Sequence, residues 1–391
     1  VRGMQKNVLP AEMTIFLFLG IFTLLLILEG CQRDDENEKD ETKTSDSSPK
    51  QETSVEEKEE VISTDRIAPI QVKDGVFQTI SGWADNEHVL YILEGSSGAN
   101  VYSHSIKNGS DNLLFESESP IVSVMISPSK EYFIVHSAPS TNEALLTVLT
   151  LNGEPVMEKS IPSSELSIEW NPFDDSSILI TSFTEDWDFT VWEMDLMQSS
   201  MTEVAMPQPF GYWLSKEKLL YLDWNIEEPS LYADAKKFDL ETGASNDYLA
   251  EIFQVDSFGD VSVAVGADEL DEKKARYTFY QDTNEIFSFE TPHLSRYSDW
   301  LVPYYDYNEK TNTFLTYQPL YSTEADVYQE GFQLVSYQLD SGENEVLFDG
   351  MENTPISCSP DGQKCLSGYY LEKLIDIESK KIITLVNEKK D

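Results

Sequence analysis

From Ile67 to the end of the chain, apolar runs of four to eight residues rich in Val, Ile, Tyr, Phe and Thr alternate with clusters of Gly, Asn, Asp, Ser and Pro. Runs of that length, unbroken or with period two, predict β-strands bounded by turns. Long helical stripes are missing, which excludes the βαβ units of an α/β solute-binding fold. The runs recur as a unit: a short strand ending in an aromatic or small polar residue and a polar turn, then a strongly apolar strand, then a third strand running into a turn. Gly82-Trp83-Ala84-Asp85-Asn86 followed by Val89-Leu90-Tyr91-Ile92 opens one unit, and Ile168-Glu169-Trp170-Asn171-Pro172 followed by Ile178-Leu179-Ile180 opens another.

Equivalent positions at Trp83, Ser127, Trp170, Trp213, Phe258, Tyr305 and Cys358 are spaced by 44, 43, 43, 45, 47 and 53 residues. A period of about 40–50 residues with about four strands per unit is the signature of a β-propeller. The expected fold is therefore an all-β propeller of four-stranded blades, seven by repeat count. Trp83, Trp170 and Trp213 recur at one repeat position, so they are expected to pack between blades.

The Ser359-Pro360-Asp361-Gly362 turn and the closing Leu240-Glu241-Thr242-Gly243 and Leu339-Asp340-Ser341-Gly342 segments resemble the blades of bacterial extracytoplasmic propellers. With Trp170-Asn171-Pro172 in the third unit and an acidic segment ahead of the repeats, the chain from Ile67 onward resembles the YqgU-like family of Gram-positive lipoproteins. That family is described as a six-bladed propeller, so the resemblance implies six blades where the repeats count seven.

Ahead of the repeats, Met13 to Leu28 is an apolar run, with Arg2 and Lys6 before it and Glu29-Gly30-Cys31 after it. A positive segment, an apolar segment and a small residue before the cut describe a secretory signal. Cys31 after Leu28-Glu29-Gly30 resembles the lipobox of bacterial lipoproteins, departing from it at Glu29, and the resemblance implies lipidation of Cys31. The alternative is an uncleaved anchor, although the apolar run is shorter than the roughly 17–25 residues a spanning helix needs. Both readings put the rest of the chain outside the cytoplasm. Residues 32–66 have no large apolar residue before Val55 and cannot bury enough surface to order themselves. The expected organisation is a lipoprotein signal segment (1–31), a disordered acidic linker (32–66) and the propeller (67–391).

The formal net charge is −44. Little of it sits in the linker: from Ile67 onward there are 56 Asp and Glu against 19 Lys and Arg. Nucleic acid is excluded as a partner, because its binding depends on Lys and Arg displacing counterions. Such a surface suits solubility in a saline exterior, or attraction of cations and basic partners.

Candidate chemistry is sparse. Glu94-Gly95-Ser96-Ser97-Gly98 lacks the spacing of a nucleophile elbow. His88, His104, His136 and His293 are isolated and read as surface or edge residues, so no metal or cofactor is expected. Cys358 and Cys365 flank a hairpin turn and form a candidate disulfide. A two-residue loop at Asp361-Gly362 would set them opposite one another. A three-residue loop closing on a Gly bulge would offset them by one and is favoured by Pro360.

The connections between second and third strands carry the most suggestive residues. They hold Glu185, Asp186, Trp187 and Asp188, then Trp224, Glu227, Glu228 and Tyr232, then Asp268, Glu269 and Asp271, then Tyr321, Asp326 and Tyr328. In a propeller these loops share one end of the ring with the connections between blades, and loops on a rigid scaffold commonly carry binding. Such a rim could stack against a carbohydrate or hold a cationic segment. The expected function is a membrane-anchored, extracytoplasmic propeller acting as a non-catalytic binding or scaffold module for an envelope protein or wall polysaccharide. The alternative is a glycan-acting hydrolase or lyase using loop carboxylates as acid and base.

Overall fold

The second strand of each unit explains the architecture, because its central residues face opposite ways and are buried on both faces. In Ser177–Phe183 every residue is buried. Ile178 and Ile180 join an apolar cluster with the preceding unit, while Leu179 joins one with the following unit. A strand covered on both faces reads as a continuous apolar run rather than an alternating one. The fourth strands, such as Asp111–Ser117 and Asn344–Met351, are mostly exposed or half-buried and form the outer edge of each sheet.

The structure is a computed structural model that describes residues 67–388 except Ser97, Ile226, Glu269, Leu270, Glu272 and Ser298. All belong to the second of the two units into which the chain divides, 62–391. The signal segment with Cys31, the linker 32–66 and the rim candidate Glu269 lie outside the described residues.

Among the described residues there are seven four-stranded antiparallel sheets, each built from one continuous stretch in simple up-and-down order. They are blades 1 to 7, over residues 76–117, 121–162, 165–204, 212–252, 254–292, 305–351 and 356–384. First strands of neighbouring blades meet one another, so they ring the axis. Seven apolar clusters fill the seven blade-to-blade interfaces, including one between blade 7 and blade 1. The ring therefore closes at seven.

Trp83, Trp170 and Trp213 are buried at the interfaces, as their recurrence predicts. Trp83 donates its indole N–H to the Ser357 carbonyl of blade 7 at 2.9 Å, and Trp213 donates to the Glu169 carbonyl of blade 3 at 3.1 Å. Among the described residues, closure uses no strand exchange between blades. Ile70–Val72 instead pairs in parallel with Val386–Glu388, and Ile70 is fully buried in the blade 7–blade 1 cluster.

The antiparallel order gives the ring two ends. Turns joining first to second and third to fourth strands lie at one, here the turn end. Loops joining second to third strands, and the connectors between blades, lie at the other, the loop end. The chain enters at the turn end of blade 1, where Ala68 donates its N–H to the Ile106 carbonyl at 2.7 Å.

Two sequence expectations are corrected here. The offset register of the blade 7 hairpin does not form: Cys358 and Cys365 face each other directly and are joined as a disulfide. The reason is local. Ser359 donates its N–H to the Lys364 carbonyl, and its hydroxyl oxygen accepts the Lys364 N–H at 3.1 Å, which closes a four-residue loop and keeps the register even. Nor are the histidines all superficial. His104 is fully buried, its ring nitrogens 2.8 Å from Asp111 Oδ1 and 2.9 Å from the Ala68 carbonyl. His136 is also buried, which holds its ring below the usual histidine range.

Candidate functional site

The loop end is where the blades stop resembling one another. Blades 1 and 2 close their second and third strands with short loops, whereas blade 6 uses residues 319–331. That long loop folds back on the connector between blades 5 and 6. Thr323–Glu324 pairs in parallel with Leu294–Ser295, which also pairs with Trp300–Leu301. Ser322 adds a hydroxyl bond to the Lys273 carbonyl in the blade 5 loop. Loops of blades 4, 5 and 6 are thereby braced into one shelf, with Trp300 at its centre. Its ring stacks on His293 at 4.3 Å and on Phe253 at 5.0 Å, and meets Tyr232 edge-on at 5.9 Å.

Most sequence-selected rim residues are exposed on this end. Glu185, Asp186, Trp187, Asp188, Trp224, Glu227, Glu228, Asp271, Tyr321 and Asp326 face solvent. The others are struts. Asp268 is only 3% exposed; it accepts the Asp271 N–H at 2.9 Å and lies 3.7 Å from Arg276. Tyr328 donates to the Gly331 carbonyl and accepts the Leu320 N–H, both at 3.0 Å, which ties the long loop. Tyr232 is half-buried against Trp300. The rim is thus several neighbouring loops rather than one carboxylate cleft.

The exposed aromatic residues extend beyond Trp187, Trp224 and Tyr321, which the sequence singles out. The described residues include nine exposed aromatic side chains: Trp187, Phe189, Phe210, Trp224, Tyr297, Tyr304, Tyr321, Tyr369 and Tyr370. Every one sits at the loop end, in a second-to-third-strand loop, at its border or in a connector. Trp187 is held at φ 65°, and its ring lies edge-on to Phe183 at 5.9 Å. A left-handed backbone on a bulky residue costs on the order of 1–3 kcal/mol and is retained where the surroundings fix it.

The inner strands hold a second group that the sequence reading passed over. Burial pushes the Glu169 carboxyl up to about 8, with the negative charge of Asp256 adding to the effect. Burial also raises Asp256 to about 6, against the pull of the Ser257 N–H at 2.8 Å and the Tyr305 hydroxyl at 3.2 Å. Gln254 donates to that same Tyr305 hydroxyl at 2.8 Å. Asp306 is likewise raised to about 6 by burial, although it accepts the Cys358 N–H at 2.8 Å. A cavity of about 60 Å³ lies beside Glu169 and Tyr212, with Phe210 and Gly211 of the connector among its walls. Among the described residues, no group of three or more His, Cys, Asp or Glu is placed to hold a metal ion. No helix there is long and apolar enough to cross a membrane.

Comparison with known proteins agrees with a β-propeller, although the matching family is described as six-bladed and the described residues form seven blades. The chain is 24% identical over 312 residues to the uncharacterized lipoprotein YqgU of Bacillus subtilis, a match covering 79% of this chain and 84% of that protein. The crystal structure of the uncharacterized protein lmo1340 from Listeria monocytogenes superposes with a TM-score of 0.77 at 23% identity, over 83% of this chain and 99% of that one. The β-propeller domain of the Trilobed protease from Pyrococcus furiosus, described as having an open velcro topology, gives a TM-score of 0.56 at 14% identity, over 82% of this chain and all of that one. A family model described as the YqgU-like 6-bladed beta propeller domain matches residues 105–368. The matched stretch contains blades 2 to 6 whole, the fourth strand of blade 1 and the first two strands of blade 7. Since the match spans more than half of the sequence, this chain belongs to the YqgU-like β-propeller family.

Proposed function

We propose that this protein is an extracytoplasmic lipoprotein, anchored through a lipid on Cys31, whose propeller is a non-catalytic binding module at the cell envelope. The observation that carries the reading is the placement of all nine exposed aromatic rings at one end of a rigid ring. Exposed apolar surface gathered on one face marks an interaction site, whereas scattered single residues do not. The lipoprotein relative supports the address.

The test is retention of the full chain, in neutral detergent, on isolated cell-envelope material. A variant with Trp187→Ala, Trp224→Ala, Tyr321→Ala and Tyr369→Ala is expected to lose retention while unfolding at the same temperature as the parent. Unchanged retention would sink the reading. Mass spectrometry of the mature N-terminus checks the anchor separately, since an unmodified Cys31 excludes it.

A second reading, a hydrolase or lyase acting on a glycan, draws support from a different place than the loops. Glu169 and Asp256 are carboxyls whose raised and unequal proton affinities suit an acid and a base. Release of reducing ends from wall glycan, abolished by Glu169→Gln, would establish it.

A further inference from the structure

We infer that the loop end docks a basic polypeptide segment, rich in Lys and Arg. The inference rests on the binding-module reading above and names its partner. Among the described residues, the second-to-third-strand loops of blades 3 to 7 hold eleven Asp and Glu and a single Lys, Lys273. Rings and carboxylates alternate within single loops: Trp187 stands between Asp186 and Asp188, and Tyr369 and Tyr370 precede Glu372. A cation over an aromatic face gains on the order of 0.5–1 kcal/mol at an exposed site, and neighbouring carboxylates add charge pairing.

The alternatives fit less well. Anionic lipid or an anionic polymer would be repelled by the carboxylates. A second copy of the chain would meet like charge, because the turn end is acidic as well, with Glu217, Glu241 and Glu309 exposed there.

The experiment measures binding of fluorescent poly-lysine, and in parallel of a neutral N-acetylglucosamine oligosaccharide, to the full chain in neutral detergent. The expected result is poly-lysine binding that weakens by roughly tenfold or more as salt rises toward molar concentration. It should fall about tenfold in the triple variant Trp187→Ala, Trp224→Ala, Tyr369→Ala, in line with three exposed cation–π contacts. The turn-end control Glu217→Gln, Glu241→Gln, Glu309→Gln should stay within about twofold of the parent. Poly-lysine binding equally well to all three proteins overturns the inference, because net charge alone would then explain it. Failure of poly-lysine to bind also overturns it. In that case ring-dependent binding of the oligosaccharide would leave the binding-module reading standing with a different ligand.

Discussion

The turn end and the loop end are built from the same seven sheets, yet their polar residues are used differently. At the turn end, side chains close the chain on itself: Asp239 accepts the Thr242 N–H and hydroxyl at 2.9 and 2.7 Å, and Asp376 accepts the Ser379 N–H at 2.8 Å. Ser127 and Ser359 do the same for their own turns. At the loop end Asp268, Asp271, Glu372 and Tyr328 tie their own loops and Trp300 packs among them, while Glu185, Asp186, Asp188, Glu227, Glu228 and Asp326 are exposed. Local hydrogen bonds that satisfy a turn leave nothing over for a partner. The loop end differs because its longer segments are braced by contacts between loops.

The sharpest test of this division compares two tryptophans eleven residues apart. Trp213 is 1% exposed at the blade 3–blade 4 interface, whereas Trp224 is 37% exposed at the loop end. Trp213→Ala is expected to lower unfolding free energy by about 3–5 kcal/mol, through the cavity it leaves and the loss of the indole bond to the Glu169 carbonyl. Trp224→Ala should cost about 0.5 kcal/mol or less while weakening binding. Urea unfolding of the two variants checks it, and equal costs would erase the distinction between the ends.

Next in size is the pH dependence set between the ends, on the inner strands. Glu169 titrates near 4.5 in a free chain and near about 8 when folded, so the folded state keeps a proton that the unfolded state loses. Its contribution is therefore fully present below 4.5 and lost as pH rises toward about 8. Asp256 and Asp306 act in the same direction between 3.8 and about 6. Glu169→Gln should flatten this slope and raise stability at pH 8 by about 2–4 kcal/mol relative to the parent. Melting temperature recorded from pH 4 to 8 is the measurement, and parallel curves would contradict it.

The Cys358–Cys365 disulfide staples the blade 7 hairpin beside its turn. Cys358→Ala with Cys365→Ala should cost about 2 kcal/mol, because the closed loop is short. Binding at the loop end should be unaffected. A loss of binding would show that the two ends are coupled through blade 7.

The repeat was legible because blade packing demands a large or small residue at one recurrent place, and Trp83, Trp170 and Trp213 supply it at constant spacing. Acidity of the loops was legible for the same reason that composition is. What the sequence concealed depends on contacts between segments. Tyr297, Trp300 and Tyr304 belong to a connector with no repeat partner, so no period marks them. Asp268 and Asp271 look equivalent in the chain, and only the fold turns one inward against Arg276. Glu169 reads as an ordinary strand carboxylate, since alternation says which residues share a face but not that this face meets Tyr212 around a cavity. The hairpin register was misjudged because a hydroxyl, Ser359, decides it rather than Pro360.

The smallest expected effect tests the turn end alone and runs opposite in sign to that of Glu169. Bonds from the Thr242 hydroxyl and N–H hold the Asp239 carboxyl below the usual carboxylate range. A group whose folded proton affinity is depressed contributes stability above its unfolded value of 3.8, and loses it as pH falls through the folded value. Asp239→Ala should therefore lower the melting temperature by about a degree or two at neutral pH and by less below pH 3. A loss of stability as large below pH 3 as at neutral pH would show that the Asp239 charge does not close its turn, and a loss confined to neutral pH assigns that carboxylate to the fold.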